Sequence, residues 1–422
     1  MQAEILSIGD ELLIGQIVNT NASYIAKKLD ETGIAVQRIV ALGDDGEKIT
    51  NQLKDSLSKA DIVITTGGLG PTHDDITKKV IADFLGKSLV YDEEAYKRCK
   101  SIFDKRGIQM PKSNASQSEV IEGALVIQNT KGTAPGMIVH DIKAYPGKYV
   151  VILPGVPYEM QEMINTGVIE YFKPKVTWKF RHTVLMTAGI GESTLAEQIG
   201  DVSQFLEPDT SLAYLPHSAG VRLRLSSKEK DEAVLNRHHE QALEALKQKL
   251  GSYLYAITDM PLEAYIGSLL KERNLKLAVA ESCTGGLIAH RITNIPGSSA
   301  YFLEGIVSYS NASKIKRLGV PEELIEKHGA VSQQVAIEMA KGCLETSGAD
   351  IAIATTGIAG PGGETDTKPV GLVCFGLATN TKLGNQCFAK TMNFSHERIR
   401  NKERFSETAL NIVRQILCGT DL

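Results

Sequence analysis

One serine in this chain has surroundings suited to nucleophilic chemistry. Ala280-Glu281-Ser282-Cys283-Thr284-Gly285-Gly286 follows an apolar run at 275–280 that reads as a buried strand. It leads into Leu287-Ile288-Ala289-His290-Arg291-Ile292, whose apolar spacing predicts a helix. A serine on a glycine-rich turn between strand and helix lies beside backbone N–H groups that can stabilise an anion, either a phosphate or a tetrahedral oxyanion. It becomes a nucleophile once a neighbour takes its proton. Ser308-Tyr309-Ser310-Asn311-Ala312-Ser313-Lys314 supplies two candidates, Tyr309 and Lys314, if a strand at 305–309 adjoins the first. A desolvated lysine can be neutral at pH 7 and accept a proton. Cys283 is a rival nucleophile, since thiols are intrinsically better. No histidine pairs with it in an obvious way, and Ser282 is the preferred choice.

A strand at 351–355 ends in Thr356-Gly357-Ile358-Ala359-Gly360-Pro361-Gly362-Gly363, whose glycines imply a tight turn or close backbone approach to a ligand. With the Ser282 turn and the Tyr309/Lys314 segment it makes a three-part site. The last helix, about 397–417, carries Arg398, Arg400 and Arg404. Arg400 and Arg404 are one turn apart and share a face, so one of them could clamp a phosphate or carboxylate.

A second glycine-rich strand end lies far upstream, in Thr65-Thr66-Gly67-Gly68-Leu69-Gly70-Pro71-Thr72-His73-Asp74-Asp75. Its glycines suit phosphates, whereas Asp74 and Asp75 would repel them unless a divalent cation intervenes. A diphosphate with Mg²⁺ satisfies both features; helix capping by Asp74 or Asp75 is the plain alternative. Gly9-Asp10-Glu11, Asn19-Thr20-Asn21 and Pro154-Gly155-Val156-Pro157 could converge on the same end of the sheet, where open α/β folds bind ligands. Asn19 and Asn21 also read as turn and cap residues.

These segments must be positioned by an α/β framework. Apolar runs at 3–8, 34–40, 62–66 and 149–153 alternate with amphipathic stretches, the pattern of a parallel sheet flanked by helices. Residues 174–257 read as strand, helix, two strands joined through Pro216-His217-Ser218-Ala219-Gly220, a long helix at 231–250 and a short strand, which is a split β-α-β order. The α/β pattern then resumes. The expected organisation is an N-terminal α/β sheet domain at 1–173, a small α+β domain at 174–257 and a C-terminal α/β domain at 258–422.

The 422 residues, 42% hydrophobic and 23% charged, have an ordinary globular composition. A net charge of -4 with no basic run argues against nucleic acid as a partner. No apolar stretch is long enough to span a bilayer and the first residues do not read as a signal peptide, so a cytoplasmic protein without a membrane partner is expected. The six cysteines lack CxxC spacing and read as reduced thiols. A homodimer is the prior expectation for such a multidomain chain.

Taken together, these motifs resemble the CinA family of competence/damage-inducible proteins over essentially the whole chain. Gly9-Asp10-Glu11-Leu12-Leu13-Ile14-Gly15-Gln16, Thr66-Gly67-Gly68-Leu69-Gly70-Pro71-Thr72 and Pro154-Gly155-Val156-Pro157-Tyr158-Glu159-Met160 resemble the molybdopterin-binding fold in the version associated with ADP-ribose pyrophosphatase activity. The C-terminal motifs are similar to the nicotinamide-nucleotide amidase domain. The resemblance implies that nicotinamide mononucleotide and water give nicotinate mononucleotide and ammonia, in the service of pyridine nucleotide salvage. Ser282 would be the nucleophile, with Tyr309 and Lys314 relaying its proton. Backbone N–H groups near Thr284 and Gly285 would hold the oxyanion, Gly286 would belong to the substrate site beside them, Thr356, Gly357 and Gly360 would bound the pocket, and Arg400 would meet the phosphate. No cofactor is needed for that half. For the N-terminal domain it implies cleavage of ADP-ribose with a divalent cation such as Mg²⁺, and K⁺ beside it. Asp10, Glu11, Asp74 and Asp75 would be the acidic groups, and Gly67, Gly68, Gly70, Asn19, Pro154 and Gly155 would surround the nucleotide. The chain departs from the family pattern just before the last helix, at Asn393-Phe394-Ser395-His396-Glu397. The alternative from another class is a non-catalytic pterin- or nucleotide-binding protein acting in competence or DNA damage.

Overall fold

In the computed structural model, which describes residues 1–105, 107–217, 220–395 and 397–420, the apolar runs of the N-terminal half form the centre of a six-stranded sheet. Its order is Ala35–Leu42, Gln2–Ile8, Ile62–Thr66, Tyr149–Leu153, Gly136–Val139, Leu125–Ile127. Successive side chains of a strand point to opposite faces, so each central strand feeds two cores. Ile5, Ile64 and Val151 pack with Ile25 and Leu29 of the helix Thr20–Thr32 on one face. Leu6, Val63 and Val150 pack with Ile49 and Leu53 of the helix Gly46–Lys59 on the other. The first four strands are parallel and the last two antiparallel, so the sheet is mixed where the sequence pattern predicts a parallel one. The two added strands are three and four residues long, too short to show periodicity.

The middle segment follows the expected order of elements: Lys179–Thr187, helix Glu192–Ile199, Thr210–His217, Gly220–Glu229, helix Glu232–Leu250, Leu254–Ala256. Its four-stranded sheet places the first strand between the third and the fourth, the arrangement of a split β-α-β fold. Leu185, Val221, Leu223 and Leu225 pack on Leu195, Ile199, Leu243 and Leu246 of the two helices. Ser218 and Ala219 of the anticipated turn lie outside the described residues.

The C-terminal sheet runs Phe302–Val307, Leu277–Glu281, Ile351–Gly357, Leu372–Thr379, Cys387–Asn393. Its first three strands are parallel, and the last two turn back antiparallel. Large and small side chains alternate along the central strands. Leu277, Val279, Ile351 and Ile353 fill the face under helices Leu262–Glu272 and Arg398–Cys418. Ala278, Ala280, Ala352 and Ala354 line the face under helix Gln333–Ser347. The small face lets that helix approach the sheet at backbone distance: a Cβ on Gly376 would stand 1.9 Å from the Ala336 carbonyl oxygen. Two compact units result, Met1–Arg181 with Ser227–Arg237, and His182–Ser226 with His238–Leu422. Among the described residues no helix is long and apolar enough to cross a membrane. Gly376→Ala is therefore expected to cost about 1–3 kcal/mol by overpacking, read as a lowered urea midpoint at unchanged slope.

Candidate functional site

The Ser282 turn is built by the residue before it. Glu281 ends its strand fully buried, which is tolerable only because its carboxylate accepts from three backbone donors: Gly286 N at 2.9 Å, Ala289 N at 2.8 Å and Ile288 N at 3.2 Å. A side chain thus caps the helix Leu287–Thr293 from the strand side. The turn is also tied to the neighbouring strand, by Ser282 N to Thr355 O at 3.0 Å and by Thr284 Oγ1 to Thr355 Oγ1 at 2.9 Å. This arrangement corrects one expectation. Gly286 N–H is spent on Glu281, and Gly285 N–H donates to Ser282 O at 3.1 Å, so neither is free for an oxyanion.

Register brings the second element in. Glu281 lies opposite Val307, and Ser308 N donates to Glu281 O at 2.8 Å. The chain then enters helix Asn311–Leu318, capped by Ser310, whose hydroxyl accepts from Ser313 N. One turn in, Lys314 points back beneath the strand end. It is 1% exposed, with Nζ 3.0 Å from Ser282 Oγ, 3.0 Å from Ser308 O and 3.4 Å from Tyr309 O. Burial lowers its pKa from the ordinary 10.5. Nζ donates to all three of these oxygens, and none of the three carries a charge. Cys283 lies alongside, but burial pushes its thiol up to about 12, so it stays protonated. His290 is exposed and its Nε2 bonds Asn294, not Cys283.

Tyr309 takes a different place from the one expected. Its ring is 62% exposed and its hydroxyl accepts from Arg398 Nη2 at 3.1 Å; only its carbonyl faces Lys314. Arg398 Nη1 donates in turn to Gly360 O, and Asn401 Nδ2 to Ala359 O at 3.1 Å, fastening the 357–363 glycine segment to the last helix. Thr356 directs its hydroxyl to Ala330 O at 2.8 Å and supports the wall, and Gly357 ends the strand. The arginine at the site is thus Arg398, not Arg400. Two residues are about 200° apart around a helix, so Arg398 and Arg400 leave it from opposite faces. Lys402, one turn after Arg398, stands over the turn: a Cβ on Gly285 would lie 3.5 Å from its Nζ. Sequence spacing alone cannot choose between the 398/402 and 400/404 faces. His396, in the atypical segment before the helix, lies outside the described residues.

A buried ionic cluster holds these walls together. Arg291 pairs with Glu263 at 2.7 Å and Glu407 at 2.6 Å, joining the helix after the serine turn to helices Leu262–Glu272 and Arg398–Cys418. Burial raises the Glu407 pKa against the opposing pull of Arg291. No motif announces this triad.

In the N-terminal unit, register aligns the ends of three strands: Ser7 faces Thr66, which faces Leu153. A cavity of 600 Å³ opens at this edge, lined by Gly67, Gly68, Gly70, Asn19, Pro154 and Gly155 among others. Gly67 has φ 108°, and a Cβ there would lie 2.0 Å from Ile8 O, so no other residue fits. Asn19 caps helix Thr20–Thr32 through Ala22 N at 3.1 Å. Of the four acidic residues expected here, Glu11, Asp74 and Asp75 line the cavity and Asp10 does not. Asp75 accepts from Thr72 N at 3.0 Å and from the Thr72 hydroxyl, closing its own loop. Asp10 is absent from the cavity wall, and its N–H donates to Asp44 Oδ2 at 3.3 Å. Asp44, missed in the sequence, does line the cavity; burial raises its pKa, with Asp10, Glu11 and Asp74 adding repulsion. Among the described residues no three of His, Cys, Asp and Glu gather as a group that could hold a metal ion.

Comparison with known proteins matches this architecture segment by segment. Residues 4–174 match the family described as "Probable molybdopterin binding domain", 182–256 the "Damage-inducible protein CinA KH domain" and 259–417 the "CinA C-terminal domain". A CinA-like protein of Chloroherpeton thalassium is 63% identical over 417 residues, covering 99% of each chain. One from Chlorobaculum tepidum is 47% identical over 97% of each. A solved competence/damage inducible protein of Agrobacterium tumefaciens is 39% identical and covers 37% of this chain and 93% of its own, with a TM-score of 0.36. With a glycine-lined N-terminal cavity and a serine-lysine site in one polypeptide, and a relative of this identity along its whole length, the chain belongs to the CinA family.

Proposed function

We propose that the C-terminal site hydrolyses the carboxamide of nicotinamide mononucleotide to nicotinate mononucleotide and ammonia. The observation that carries this reading is the buried Lys314 amine 3.0 Å from the Ser282 hydroxyl. Ser282 Oγ attacks the carboxamide carbon while its proton passes to Lys314 Nζ; that proton leaves with the amide nitrogen as ammonia. Water, deprotonated by the same amine, then cleaves the nicotinoyl ester and frees the serine. With Gly285 and Gly286 N–H engaged, the Thr284 N–H is the turn donor assigned to the oxyanion. Arg398 and Lys402 meet the substrate phosphate. Tyr309, bonded to Arg398, holds that guanidinium and does not relay the proton.

We further propose that the N-terminal cavity cleaves ADP-ribose to AMP and ribose 5-phosphate, its diphosphate lying along Gly67, Gly68 and Gly70. Mg²⁺ would arrive on the diphosphate, since the carboxylates are not gathered to hold it beforehand. Both activities place the chain in cytoplasmic pyridine nucleotide salvage.

The direct test is ammonia release from nicotinamide mononucleotide by the purified chain without added metal. Ser282→Ala and Lys314→Arg are expected to lose about 10³-fold or more in kcat/KM, whereas Cys283→Ala stays within a few-fold. Release of ammonia by folded Ser282→Ala overturns the assignment. Arg398→Ala is expected to raise KM about tenfold for loss of one charged contact, with Arg400→Ala unchanged. The lysine also leaves a thermodynamic signature. Between its lowered native pKa and 10.5 the unfolded chain carries a proton there that the native chain lacks, so stability rises with pH across that window. Lys314→Met is expected to melt higher than wild type at pH 7, with the gap narrowing as pH approaches 10.5; a gap independent of pH contradicts burial of a neutral amine.

A further inference from the structure

Four large apolar side chains stand in water within six residues of the N-terminal unit: Leu13, Ile14, Ile17 and Val18, at 56, 74, 51 and 82% exposure. Apolar surface gains about 25 cal/mol per Å² on burial, so such a run marks a surface that something covers. Ile17 and Val18 belong to the wall of the 600 Å³ cavity. Val156, also exposed at 40%, and Pro157 line it from the segment after strand Tyr149–Leu153. The two segments are fastened side by side, because Asn21 Nδ2 donates to Gly155 O at 2.7 Å and to Thr66 Oγ1 at 3.3 Å. Much of the remaining wall is polar or glycine, including Gly67, Gly68 and Asp44. Ligand sites combine apolar walls with a few placed polar groups; Ile8, Leu69 and Ala134 also line this cavity but are buried, so the wall's exposed large apolar side chains are Ile17, Val18 and Val156.

We propose that Ile17 and Val18, with Val156 of the adjoining segment, form the seat for the flat, uncharged base of a nucleotide, and that this seat sets the cavity's preference for nucleotides over simple sugar phosphates. The inference rests on the nucleotide reading of this cavity and names the part of the ligand that those residues recognise. A base covers the apolar side chains that water otherwise meets, while the phosphates stay with the glycine backbone.

The test is calorimetric titration of the full chain with AMP and, separately, with ribose 5-phosphate, which has the sugar and phosphate but no base. Wild type is expected to bind AMP about tenfold or more tightly than ribose 5-phosphate. Ile17→Ser and Val18→Thr, the latter keeping shape while adding a hydroxyl, are expected to weaken AMP about three- to tenfold and leave ribose 5-phosphate unchanged. Ile14→Ser, equally exposed but outside the cavity wall, should change neither. Unchanged AMP affinity in Ile17→Ser and Val18→Thr overturns the proposal, as does a change of sedimenting mass without a change of affinity, which would make a second copy the occupant. Equal wild-type affinity for the two ligands overturns the base seat but keeps a phosphate site; binding of neither overturns the nucleotide reading as well.

Discussion

Burial of the Lys314 amine is the constraint on which the C-terminal site depends. An ammonium with almost no access to water is costly, and no carboxylate is paired with this one; its neighbours are a hydroxyl and two backbone carbonyls. Burial accordingly lowers its pKa, which favours the neutral form, the form able to accept a proton from a serine. Both carbonyls come from the segment that ends one strand and caps the next helix, so the proton acceptor is placed by main-chain geometry. The same helix would otherwise be unremarkable, with Ser310 at its start and a left-handed glycine, Gly319, at its end.

The second determinant is how the turn distributes its donors. Glu281 consumes three N–H groups at the start of the following helix, which rigidifies the turn and orients Ser282 toward Lys314. The Arg291 triad carries that rigidity outward to the helix bearing Arg398, Asn401 and Lys402. Removing Arg291 would leave two facing carboxylates, one of them buried, without their cation, the costly direction for such networks. Ser282, Lys314, Arg398 and Lys402 therefore belong to one connected frame.

Much of this was legible in the residues. Apolar runs bounded by glycines marked the central strands, and strand–turn–helix patterns located both the Ser282 turn and the cavity loops. What escaped were choices settled only by tertiary register. Spacing gave two equivalent faces of the last helix, and packing selected the one with Arg398. Tyr309 was close in sequence to Lys314, yet the strand ended at Val307 and its ring turned outward to the arginine. Glu281 read as a motif letter because its role needs the N–H groups of a helix not yet folded. Asp75 and Asp44 differ for a similar reason: local hydrogen bonding claims one carboxylate, and a loop distant in sequence brings in the other. The antiparallel edge strands were too short or too irregular in pattern to separate from loops.

The protonation state of Lys314 is the quantity closest to the central claim. Lysine side chains labelled with ¹³C at the ε-carbon report it by NMR as pH is raised, and the Lys314→Met protein identifies the resonance. The account predicts a lysine resonance that titrates below the ordinary 10.5 and is absent from the variant, distinct from that of Lys78, which burial lowers to about 8. A Lys314 resonance titrating at or above that value would mean the amine stays charged beside Ser282, and the serine would then need another base.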